Sequence, residues 1–196
     1  RKAGAPMSIE AAYQENYTRR ELIGGEVVMM APPAINHVRI TGRISSLFET
    51  FLEGKPCVPL TDGATVFLSD TERYIPDFMV VCDPNKIRAN GVYGAPDLVV
   101  EILSPSTARR DKWYKKNGYE AAGVPEFWLV DPANRSIEVY LLQKGRYVMD
   151  NLYTLFAQDD LEMMTDRERA EVVTEFKCHL FDDLIIRLED VFYRLF

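Results

Sequence analysis

The sequence predicts a single α/β (α+β) domain, a mixed β-sheet flanked by helices with added β-hairpins, and three patterns carry that expectation. The run Leu98 to Leu103 is apolar on both strand faces. Leu98, Val100 and Ile102 share one face and Val99, Glu101 and Leu103 the other, so a strand there is covered on both sides. A helix-compatible stretch from about Ala108 to Ala122 separates it from a second buried strand, Phe127 to Val130. That order makes a strand–helix–strand crossover, right-handed by the general rule. The third pattern is a long helix from Asn36 to Leu52, with Val38, Ile40, Ile44, Leu47, Phe48 and Phe51 at helical spacing.

The other elements follow in order. Arg1 to Pro6 before Met7 read as an expression-vector remnant and are excluded, which leaves residues 8–196 as one domain. Ser8 to Tyr17 reads as a short capped helix, and Glu21 to Met30 as two extended runs around the turn pair Gly24-Gly25. Strands are expected at Cys57 to Leu68, Pro76 to Cys82 and Pro96 to Leu103. Ser104, Ser106 and Thr107 offer helix-capping hydroxyls, and Gly123 ends the crossover helix. Ile137 to Leu142 and Tyr147 to Met149 form a hairpin around Lys144-Gly145. Thr165 to Ala170 is helix-compatible, and Leu184, Leu188, Val191, Phe192 and Leu195 give the tail helical spacing.

Composition narrows the function. The 196 residues carry a formal net charge of −7, which argues against a general binder of nucleic acid or membrane surfaces, so any polyanion site must be a local basic patch. Cys57, Cys82 and Cys178 are odd in number, far apart and without a CxxC pair, as expected of reduced thiols in a cytoplasmic protein. No run reaches transmembrane length and there is no secretory leader, so no membrane association is expected.

Glu101 stands alone in its apolar strand. A carboxylate buried there without a partner costs several kcal/mol, roughly, so it needs a cation or a proton. Asp77, after Pro76, opens another apolar strand; if the two strands pair, both carboxylates converge on one edge of the sheet. Mg²⁺ suits such a pair, since it takes one or two carboxylates, keeps waters and binds phosphate oxygens. The alternatives are a Pro-Asp turn for Asp77 and a buried Arg or Lys partner for Glu101, with Arg39 and Arg43 as candidates.

Arg109-Arg110-Asp111-Lys112-Trp113-Tyr114-Lys115-Lys116 is the densest basic run. It reads as a solvated face with an Asp111–Lys115 pair, or, from its place after the Glu101 strand, as part of a site. Lys115 shares a helical stripe with Tyr119, so an inward Tyr119 turns Lys115 toward the carboxylates. Arg109, Arg110, Lys112 and Lys116 are then candidates to meet phosphates of a nucleic acid. Trp113 and Tyr114 read as packing aromatics, with base stacking as the alternative, while His37 and His179 have no partner spacing and read as structural or exposed.

Pro76-Asp77, the run Gly94 to Thr107, Arg110-Asp111, Lys115, Tyr119 and Gly123 to Pro132 together closely resemble the Uma-type family of bacterial proteins classed as restriction endonucleases. The likeness runs from about Glu21 to Tyr147, with Gln158 to Glu175 resembling an insertion. It implies a restriction-endonuclease-like PD-(D/E)XK core and metal-dependent hydrolysis of phosphodiester bonds, leaving 5′-phosphate and 3′-hydroxyl ends. Carried over, the acids fall on Asp77 and Glu101 and the lysine on Lys115, with Mg²⁺ or Mn²⁺ held by Asp77, Glu101 and the Ile102 carbonyl and with Glu26 as an outer acid. The superfamily lysine normally stands two residues after the second acid, where this chain has Leu103. The expected function is therefore an endonuclease, with DNA as the expected partner and a homodimer as the expected assembly. The alternative is a catalytically inert nuclease-fold protein that binds nucleic acid or regulates.

Overall fold

The computed structural model describes residues 19–61, 63–105 and 108–196. The expected helix at Ser8 to Tyr17 and the capping hydroxyls of Ser106 and Thr107 lie outside the described residues. The first hairpin is β1 (Arg20–Ile23) against β2 (Glu26–Met29), turned by Gly24 and Gly25 at φ 59° and 83°, the positive values that a two-residue turn between twisted strands requires. Next comes α1 (Ile35–Leu52), which buries Ile40, Ile44, Phe48 and Leu52 along one stripe.

The expected strand from Cys57 to Leu68 divides into β3 (Val58–Thr61) and β4 (Val66–Phe67), which join different sheets. Short β5 (Arg73–Tyr74) leads to β6 (Phe78–Val81), then β7 (Ile87–Arg88), β8 (Gly91–Tyr93) and β9 (Leu98–Ile102). The crossover helix is not uniform: Arg110–Lys115 is π-helical and passes into α2 (Lys116–Ala122). Gly123 closes it in the left-handed region at φ 87°, its N–H donating to the Tyr119 and Glu120 carbonyls. Three strands follow, β10 (Glu126–Asp131), β11 (Ser136–Gln143) and β12 (Arg146–Thr154). The chain then forms α3 (Gln158–Met163), α4 (Asp166–Ala170), the small pair β13 (Glu175–Lys177) and β14 (Ile185–Arg187), and α5 (Leu188–Phe192).

The central sheet has the order β12-β11-β10-β9-β6-β3, parallel only between β9 and β10 and antiparallel elsewhere. The fold is therefore mixed α+β. One face of the sheet, with Leu98, Val100 and Ile102, packs on α1, the β13–β14 pair and α5. The other face, with Val99 and Leu103, packs under Tyr119 and the second sheet, β2-β1-β5-β4-β8-β7. Glu101 lies on this second side, with Tyr74 and Tyr119 nearby in an edge-on pair.

Two expectations are corrected here. Cys57 and Cys82 form a disulfide, because the antiparallel register that pairs Val58 with Val81 brings the next residues outward opposite each other. Only Cys178 carries a thiol, and it is buried. The tail is not one helix: Leu184 and Ile186 belong to the β14 region, and helix is confined to α5. Arg39 and Arg43 face this tail, with Arg43 over the Tyr193 ring and Arg39 over the Phe196 ring, so neither is the partner of Glu101. No helix among the described residues is long and apolar enough to cross a membrane.

Candidate active site

The pairing of β6 with β9 sets Phe78 opposite Val100, so one step further out Asp77 faces Glu101 at the same end of the two strands. Pro76 leaves Asp77 outside the ladder, and its side chain takes over part of the pairing: Ile102 N–H donates to Asp77 Oδ2 at 2.6 Å. Asp77 Oδ1 lies 2.9 Å from His37 Nε2, which the first turn of α1 brings over the strand end.

Glu101 is met from the crossover helix. Lys115 Nζ donates to both its carboxylate oxygens, at 3.0 and 3.1 Å, and the Tyr119 hydroxyl donates to Oε1 at 2.6 Å. Lys115 Nζ also lies 2.8 Å from Glu21 Oε1 and 3.7 Å from Asp111 Oδ1. Glu21 comes from β1, where it shares a strand face with Ile23, and accepts the Ile75 N–H at 2.9 Å. The π-helical turn seats Asp111 and Lys115 together, both buried, and the Lys116 N–H donates to the Asp111 carbonyl five residues back. The Asp111–Lys115 pair is thus in the interior and not on a solvated face, and both residues line a cleft of about 220 Å³ with His37, Asp77 and Glu101.

The electrostatics follow from burial and crowding. Burial pushes the Glu101 carboxyl well above the usual carboxylate range; Lys115 opposes that, and Asp77, Asp111 and Glu21 add to it. Burial alone would lower the Lys115 ammonium, but Glu101, Glu21, Asp111 and Asp77 outweigh it and hold it above the ordinary lysine range. Burial, then the adjacent Glu101, keeps the Tyr119 hydroxyl protonated.

Among the residues picked out from the sequence, Asp77, Glu101, Ile102 and Lys115 come together, with Arg110 at the rim of the cleft. Glu26 does not join them: it is exposed at the turn end of β2, opposite Ile23, and lines a separate groove with Arg109. Lys112 reaches Glu138 at 2.9 Å, and Lys116 sits over the Tyr140 ring, both on the far flank of the helix. Trp113 and Tyr114 are not packing aromatics but stand exposed, at 68% and 56%. Asp97, the second Pro-Asp acid, accepts the Cys82 N–H. His37 and Glu21 are the site neighbours that spacing does not reveal, parity with Ile23 being the one available signal for Glu21, whereas Tyr119, expected inward on the Lys115 stripe, is found there on Glu101.

Comparisons with known proteins place the chain in a family and a fold. The sequence matches the profile of the family Uma2, described as "Putative restriction endonuclease", over residues 8–167. Two relatives are uncharacterized proteins of Synechocystis sp., slr1290 and sll1609. The first is 31% identical over 65% of this chain and 67% of its own length, and the second 28% over 62% and 71%. A crystal structure of a "putative nuclease belonging to DUF820" from Anabaena variabilis superposes with a TM-score of 0.67 at 18% identity, over 95% of this chain and 98% of that one, and so shares the fold. Since the matched span takes in Glu21, His37, Asp77, Glu101, Asp111 and Lys115 alike, the buried cluster lies wholly within a known family, and this chain belongs to the Uma2 putative restriction endonucleases.

Proposed function

We propose that the protein is a metal-dependent endonuclease that hydrolyses phosphodiester bonds of nucleic acid, with DNA as the substrate. The observation that carries this is the opposition of Asp77 and Glu101 across β6 and β9 with the Lys115 ammonium on Glu101.

The donor set suits a hard divalent cation. Glu21, Asp77, Glu101 and Asp111 surround one lysine, an excess of negative charge that adds to burial in raising the Glu101 carboxyl. Among the described residues no group of three His, Cys, Asp or Glu side chains is placed to hold a metal. The ion would therefore rest on Asp77, Glu101 and the Ile102 carbonyl and take its remaining oxygens from water and phosphate, the habit of Mg²⁺ and, with it, Mn²⁺. When bound, it would supply a Lewis acid for the scissile phosphate and a water of lowered pKa.

The chain's own residues do the rest. Lys115, held as an ammonium, donates to the attacking water or to the phosphate oxygens and stabilises the charge that grows there, a contribution of a few kcal/mol, roughly, for a well-placed donor. Glu21 and Asp111 keep it charged and aimed, and Tyr119 orients Glu101. His37 and the Ile102 N–H orient Asp77. Arg109 and Arg110 meet flanking phosphates.

The test is incubation of the purified protein with supercoiled plasmid, linear single-stranded DNA and RNA in Mg²⁺, Mn²⁺ or EDTA, beside a folded Glu101→Gln variant. Cleavage that needs metal and is lost in the variant is the expected result. Absence of cleavage on every substrate with both proteins folded overturns it and leaves the inert nuclease-fold module.

A further inference from the structure

We propose that the surface beside the acid cleft receives a nucleic-acid strand whose bases are unpaired, a substrate class that rests on and sharpens the nuclease reading. The helix that turns Asp111 and Lys115 inward turns Trp113 and Tyr114 outward, at 68% and 56% exposure, with Arg109 also exposed about one turn before them. Neither ring serves the core, whose aromatic packing here is made by Tyr74, Tyr119, Phe127, Tyr140 and Tyr147. Tyr114, Arg109 and Arg110 line an open groove of about 1000 Å³ between the β1–β2 hairpin and α2. Arg110 also lines the acid cleft, 4.0 Å from Glu21 and 3.9 Å from Asp111, so groove and cleft share that side chain.

Charge and shape point to one occupant. In a chain of net charge −7, Arg109 and Arg110 are the cations lining this groove, with Glu26 and Glu72 on the hairpin side, so a phosphate backbone is drawn to the helix side and not to the surface at large. The exposed rings then choose the form of nucleic acid. A base pair inside a duplex presents only its edges in the grooves, whereas an unpaired base offers a face on which an aromatic side chain can stack. A strand entering past Arg109 and Arg110 can lay a base on Tyr114 or Trp113 while the next phosphate reaches the cleft. Such substrates are single strands, flaps and loops, in DNA or RNA.

The chain supplies its own reporter. It has two tryptophans, and Trp128 is fully buried, so quenching of tryptophan fluorescence by an oligonucleotide reports Trp113. The whole protein in EDTA is titrated with a single-stranded DNA, the matching RNA and the blunt duplex, and the titrations are repeated with Tyr114→Ala, whose melting temperature is checked. Expected are quenching by single strands, affinity about tenfold or more above that for the duplex, and a loss of about tenfold for single strands alone in Tyr114→Ala. The DNA and RNA arms decide between the two sources of an unpaired base. Equal or tighter duplex binding, or a Tyr114→Ala variant that binds single strands unchanged, overturns the proposal. Run beside the cleavage assay, the two ideas fail separately. Tyr114-dependent binding without cleavage of any substrate removes the nuclease and keeps the strand site, and cleavage indifferent to Tyr114 and to pairing does the reverse.

Discussion

Lys115 Nζ sits 3.0 and 3.1 Å from the two carboxylate oxygens of Glu101, and both side chains are buried. In such a pair each group is the other's solvent. Removing one partner strands the other charge, whereas removing both leaves apolar volume. Lys115→Met is expected to cost about 3–5 kcal/mol in urea unfolding, and Lys115→Met combined with Glu101→Gln to recover part of that loss. A double variant no more stable than Lys115→Met would show that the pair is not coupled in this way.

The same lysine sets a pH dependence. Its folded pKa lies above the ordinary value, so the stability it contributes is complete below the unfolded lysine pKa of about 10.4 and is lost as pH rises beyond that, because the unfolded chain then releases a proton that the folded chain keeps. The stability gap between the parent and Lys115→Met should therefore narrow above about pH 10.4. A gap that widens in alkali would contradict the sign.

Glu126 holds the far side of the central sheet to the tail. It accepts Trp128 Nε1–H at 2.7 Å and the backbone N–H groups of Leu180 and His179 at 2.8 and 3.2 Å. Glu126→Ala leaves those donors without it and should cost about 3 kcal/mol, with limited proteolysis moving to the segment near residue 179. Glu126→Gln keeps an acceptor oxygen and should lose less.

Thiol titration checks the cysteine state directly. Cys178 is buried, and burial followed by the nearby Glu126 pushes its thiol up, so the native protein should give almost no reaction with a thiol reagent. Denatured without reductant it should give one thiol, and after reduction three, since Cys57 and Cys82 are joined. Three thiols before reduction would exclude the disulfide.

What the sequence revealed depended on how local the cause was. The two-faced burial of Leu98 to Leu103 follows from side-chain alternation alone, and the opposition of Asp77 and Glu101 follows once their strands pair. The inward aim of Lys115 was legible through Tyr119, although the turn that carries it is π-helical and not α-helical. Glu21 and His37 were hidden because each arrives through long-range packing, of β1 beside β5 and of α1 across the sheet end. The disulfide was hidden for the same reason, since only the register of β3 on β6 opposes Cys57 and Cys82. In the tail, Leu184 and Leu188 fit a helical period, yet pairing of β13 with β14 overrode that local pattern.

The parallel neighbour of β9 is β10, which the chain reaches only after the crossover helix. During synthesis the ribosome therefore releases Asp77, Glu101 and Lys115 before it releases the strand that encloses Glu101 on its second side. A growing chain therefore holds every acid of the cluster, and the β6–β9 pair that opposes Asp77 and Glu101, before β10 is there to enclose β9. The burial that sets the charge state of Glu101 and Lys115 is thus completed last, after both side chains have been made.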